Sequence, residues 1–70
     1  MIHKKKFQEL KGTIVAKYGT LGLFAKELGM TLTTLGRKLN GKSTWKQKEI
    51  ELSCKLLEIP KEKIQYYFFN

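Results

Sequence analysis

The 70-residue sequence has no aspartate, one cysteine, one proline and one histidine. A single cysteine, Cys54, excludes an intramolecular disulfide framework and a cysteine-based zinc site. It also fits a reducing compartment. His3 stands alone near the start with no second ligand type at metal spacing, so a metal site has no support. No histidine lies near Cys54 in sequence, and Cys54 falls on the inward stripe of a helical segment, where a small core residue is expected. Glu9, Glu27, Glu49, Glu51, Glu58 and Glu62 read as helix-surface residues rather than a paired acid/base set. An enzyme is therefore not expected, and no cofactor is implied. No uninterrupted apolar run approaches the roughly 20 residues that span a bilayer. The basic start Met1-Ile2-His3-Lys4-Lys5-Lys6 is followed by no apolar signal-peptide core, so a cytoplasmic location and no membrane partner are expected.

What the sequence does have is positive charge. Fourteen Lys+Arg face six acids, for a formal net charge of +8. The charge is uneven: residues 1–48 hold eleven Lys+Arg and two acids, a net of +9, whereas residues 49–70 come to −1. A polyanion partner would use this asymmetry, because neutralising phosphates releases counterions and drives nucleic-acid binding. With 41% hydrophobic residues a core can still form. A chain this short buries only about 60% of its unfolded surface, so it makes one small domain, residues 1–70.

The pattern is helical throughout. Phe7, Leu10, Ile14 and Tyr18 share one face of a helix over about 4–18, stopped at Gly19. Thr20 can cap a second helix, 21–28, with Phe24, Ala25 and Leu28 inward. Gly29 suits a left-handed turn, and Thr31 can cap a third helix, 32–39, in which Leu35 and Leu39 look buried. Asn40-Gly41 ends it. Thr44 with Gln47 reads as a capping box for a fourth helix, 45–58. Ile50, Ser53, Cys54 and Leu57 share its inner face. Pro60 suits the first position of a short fifth helix, 60–66. Four aromatics follow, Tyr66 to Phe69.

The second helix, the Leu28-Gly29-Met30 turn and the third helix form the pattern of a helix-turn-helix. Ala25 is small where two helices approach closely, and Gly29 lets the chain reverse. The outer face of the third helix is then free to enter a major groove. The run from Thr20 to Thr31, continuing through Leu39-Asn40-Gly41-Lys42, resembles the helix-turn-helix of phage Cro/CI-type (XRE-like) repressors. Glu49-Ile50 through Pro60 resembles the final core helices of that family. Tyr66-Tyr67-Phe68-Phe69 is similar to the ending of small regulators from phages and prophages of Gram-positive bacteria.

The resemblance implies an all-α, five-helix, lambda repressor-like domain with the third helix as reader. Carried over position by position, Leu32, Thr33, Thr34 and Arg37 face bases. Thr31, Lys38, Asn40, Lys42, Ser43 and Lys46 face the DNA backbone, aided by the amide at the start of the fourth helix. Arg37 can donate two hydrogen bonds to guanine, and Leu32 or the Thr33 methyl can touch a thymine methyl. Two positions depart from the family: Leu21 stands where glutamine is frequent, and Leu32 where a polar reader is common. They point either to methyl-based readout or to a helix face turned toward a protein.

The implied activity is transcriptional regulation by occupancy of an operator. The implied partner is double-stranded DNA with a pseudo-palindromic site, bound by a homodimer. Tyr66, Tyr67, Phe68 and Phe69 either fold back on the first helix or form the dimer patch. Trp45 reads as a lid over the junction of the third and fourth helices, or else as a surface aromatic. Lys4-Lys5-Lys6 reads as a solvated helix start or a DNA-contacting arm. The alternative from another class is a protein-interaction module, an antirepressor or modulator of a phage repressor. In that case Leu21, Leu32 and the aromatic tail would form the surface.

Overall fold

A computed structural model describes residues 7–69. Four α-helices follow one another: α1 (Gln8–Tyr18), α2 (Leu21–Leu28), α3 (Leu32–Leu39) and α4 (Gln47–Leu57). A 3-10 turn (Lys61–Lys63) and a π-helical turn (Gln65–Phe69) close the chain. No strand occurs among the described residues, and none of their helices is long and apolar enough to cross a membrane. The fold is all-α.

Side-chain spacing and caps set the first three helices. Leu10 and Ile14, four apart, are fully buried from α1, and Phe24 and Ala25 from α2. The Thr20 hydroxyl accepts from the Leu23 amide at 3.2 Å, and that of Thr31 from the Thr34 amide at 3.1 Å. Each cap satisfies an amide that the helix itself leaves without a partner. Between them Gly29 takes φ 78°, ψ 27°, left-handed and free of a Cβ clash. This lets Gly29 N–H reach the Lys26 carbonyl and Met30 N–H the Ala25 carbonyl, the paired bonds of a Schellman turn. α2 and α3 therefore join through three residues. Leu35 from α3 meets Phe24 and the α1 residues in one core, and Tyr18 packs edge-on to Phe24 with centroids 5.1 Å apart.

The later elements differ from the sequence expectation. α4 begins at Gln47, not Trp45, and Thr44 with Gln47 does not cap it. Residues 44–46 are non-helical, Lys46 being extended at φ −87°, ψ 154°, because the Trp45 ring is drawn into the core. The cap is instead the Glu49 carboxylate, which accepts from the Lys46 amide at 2.9 Å. The Gln47 side chain turns to Glu51. The segment expected as a fifth α-helix is a 3-10 turn that follows extended Pro60 and passes into the π-helical turn. α1 starts at Gln8 among the described residues; the expected Lys4 start and the Lys4-Lys5-Lys6 arm lie outside them.

α4 is followed by Glu58 at φ 57°, the one non-glycine residue with positive φ among those described. Left-handed backbone costs a residue with a Cβ about 1–2 kcal/mol. Glu58→Gly is therefore expected to stabilise the fold by about 1 kcal/mol, several degrees in Tm. The ion pair Glu58 makes with Lys17, at 3.2 Å, is exposed and offsets little of this. Calorimetry on both proteins checks it; an unchanged or lower midpoint would show that the pair outweighs the strain.

Candidate nucleic-acid interface

α3 has two unlike sides. Leu35, Lys38 and Leu39 point inward and are at most 8% exposed. Thr33 and Arg37, four residues apart, lie on the opposite side and are exposed. Leu32 begins the helix with 54% of its surface exposed. Thr34 is half-buried. Its amide caps on Thr31, and its hydroxyl accepts from the Thr31 hydroxyl at 3.0 Å. The exposed Thr31 thus spends its oxygen holding the start of α3.

The loop after α3 is tied back to that helix. Lys42 N–H and Ser43 N–H both donate to the Arg37 carbonyl, at 2.8 and 3.2 Å. Asn40 and Lys42 are exposed and Ser43 is half-buried. Lys46 and Lys48 are exposed at the start of α4. Four exposed cations thus run from Arg37 to Lys48 with no acidic residue between them.

One expected phosphate contact is corrected. Lys38 is 5% exposed and points into the protein. Its Nζ donates to the Thr44 carbonyl at 2.8 Å and pairs with Glu49 Oε1 at 2.9 Å. It also stands 6.0 Å from the centroid of the Trp45 ring. Lys38 is a strut between α3 and the start of α4, with its charge already matched. Burial alone would raise the Glu49 carboxyl, but the Lys46 amide and the Lys38 ammonium outweigh it, and its pKa lies below the ordinary carboxylate value. The same carboxylate accepts from the amide of Lys46, the residue just before α4.

The aromatic tail is also corrected as a four-residue patch. Phe68 is buried edge-on to Trp45, with centroids 5.1 Å apart. Tyr67 is half-buried and accepts a hydrogen bond from the Thr13 hydroxyl of α1 at 3.4 Å. Tyr66 and Phe69 remain exposed, at 45% and 60%. The tail meets α1 through Tyr67 at Thr13 and Tyr66 at Glu9, Phe68 joins the core at Trp45, and Phe69 is left to solvent. Trp45 packs between Phe7 and Phe68 as a core ring. Cys54 is buried in α4, and burial pushes its thiol pKa up, away from the reactive thiolate.

Sequence reasoning passed over Leu23, which exposes 54% of its surface on α2. The signal was available: Phe24 and Ala25 take the inward stripe, so their neighbour must face out. Leu21, the departure at the head of α2, is instead half-buried against the core.

No curated protein matches the sequence. A family model described as "Protein of unknown function (DUF739)" matches residues 4–70. With nearly its whole length matched, the chain belongs to the DUF739 family.

Proposed function

We propose that this protein is a sequence-specific DNA-binding transcriptional regulator of Cro/repressor type, acting by operator occupancy through α3. The observation that carries the reading is the outward side of α3. Thr33 and Arg37 stand exposed on a capped helix whose opposite side is locked into the core. A helix so held presents side chains to a major groove without reorganising, and the groove is wide enough for one helix. Arg37 is the guanine reader, Leu32 and Thr33 contact thymine methyls, and Lys42 and Lys46 meet phosphates. A homodimer would set two readers about one helical turn apart, ~34 Å, on a pseudo-palindromic operator.

The test is selection from random-sequence duplex pools with a salt titration. Enrichment of a pseudo-palindrome, with affinity falling steeply as salt rises, is the expected result. Two variants then separate the roles. Arg37→Ala should cost about 1–3 kcal/mol and relax preference at one base position, whereas Lys42→Ala should weaken all sequences and lower the salt slope by about one. Equal losses with unchanged base preference would remove Arg37 from the reading set.

One observation favours a second reading, a protein-interaction module such as an antirepressor. Leu23 and Leu32 each expose 54% of their surface, one on each helix of the pair. Weak, unselective DNA binding in the same experiment would make this the better account.

A further inference from the structure

Gly12, Gly22 and Gly36 each lie inside an α-helix. Glycine weakens a helix relative to alanine, so each raises the question of what it is for. Nothing inside the fold answers it for Gly36. Its φ is not positive, and a Cβ built on it meets no heavy atom within 4 Å. Neither backbone geometry nor packing requires glycine there.

Its place on α3 is specific. Leu35, Lys38 and Leu39 turn inward, and Thr33 and Arg37 lie opposite. Leu32 and Gly36, four residues apart, share the flank between those two sides. Helical side chains lean toward the N-terminus, so a side chain at position 36 would lie over the turn that carries Leu32. Glycine leaves that turn open and Leu32 bare at 54% exposure. Leu32 and the uncovered turn at Gly36 thus lie on the flank next to Arg37, whose carbonyl holds the amide of exposed Lys42.

We infer that Leu32 and Gly36 form a notch in which duplex DNA seats a thymine C5-methyl, Gly36 admitting the base edge close to the α3 backbone. The inference rests on the operator-binding reading of α3. Glycine is the residue that lets a ligand approach the main chain closely. The thymine methyl is the apolar mark of a major-groove edge, and Leu32 is an exposed apolar side chain on the helix that also carries exposed Arg37. Gly12 supplies the internal control, because its Cβ space is also empty but it lies on α1.

The experiment compares wild type, Gly36→Ala, Gly12→Ala and Leu32→Ala by thermal melting and by binding to the duplex that wild type selects. Both glycine variants should melt higher, by roughly 4–8 °C if each gains the full helix propensity of alanine. Gly12→Ala should bind as wild type does, whereas Gly36→Ala should bind at least about tenfold more weakly, stability and affinity moving in opposite directions. Replacing the contacted thymine by deoxyuridine should cost wild type about fourfold, the worth of one buried methyl. Leu32→Ala should lose that sensitivity. Wild-type affinity in Gly36→Ala, or indifference to deoxyuridine at every thymine, overturns the notch and leaves operator binding standing. A wild-type protein that enriches no sequence overturns operator binding, and the notch falls with it.

Discussion

Replacing Phe24 by alanine is expected to remove between about a third and all of the protein's stability. The ring is fully buried where α1, α2 and α3 meet, edge-on to Tyr18. Truncating a buried phenylalanine costs about 3–5 kcal/mol, part lost transfer energy and part cavity. A domain of this length holds only roughly 4–10 kcal/mol in total. Far-UV circular dichroism against temperature and urea reads the loss directly. Leu23→Ala, at the neighbouring exposed position, should stay within about 0.5 kcal/mol of wild type. Similar midpoints for the two variants would mean that the α2 face is assigned the wrong way round.

Lys38→Ala carries the second largest expected effect. Removing the ammonium takes the donor from the Thr44 carbonyl and the cation from Glu49. Breaking a fully enclosed pair costs about 3–5 kcal/mol; here about 2–4 is expected, because Glu49 keeps the Lys46 amide and some water. The double variant Lys38→Met/Glu49→Gln should lose less than the two single losses combined, as contacting partners do. The pair also sets an acid limit. The Glu49 pKa is lowered in the folded protein, so its contribution is present above the ordinary carboxylate value near 4.5 and is lost as pH falls through the folded value. Glu49→Gln should flatten that part of the profile, seen as a smaller drop in Tm between pH 7 and pH 3. If Lys38→Ala instead keeps full stability but lowers the salt slope of DNA binding, the lysine belongs to the interface after all.

The helix pair was legible because its punctuation is local. Thr20, Gly29 and Thr31 each act within three or four residues, and α2 and α3 have the bounds those signals give. Thr33 and Arg37 were expected to face outward from the family resemblance, and both are exposed, opposite the inward Leu35 and Leu39. Lys38 was misread because its burial depends on Glu49 and the Thr44 carbonyl, which the chain brings beside it only after the loop closes. The start of α4 failed for the same reason. Thr44 and Gln47 match a capping box in sequence, but core packing of the Trp45 ring holds that stretch extended. In the tail, four adjacent aromatics look equivalent on paper; only the placement of Trp45 and Thr13 separates buried Phe68 and half-buried Tyr67 from their exposed neighbours.

Trp45 makes the closure of the chain visible to light. It is the only tryptophan in the sequence, and its ring lies between Phe7, before α1, and Phe68, in the last turn. The indole N–H is buried with no hydrogen-bond acceptor among the described residues. Its emission therefore belongs to a buried indole while Phe7 and Phe68 pack on it, and shifts to the red when unfolding exposes the ring to water. One intrinsic fluorophore thus reports the packing of Phe7 and Phe68 on a single ring, without a label and without touching the outward face of α3.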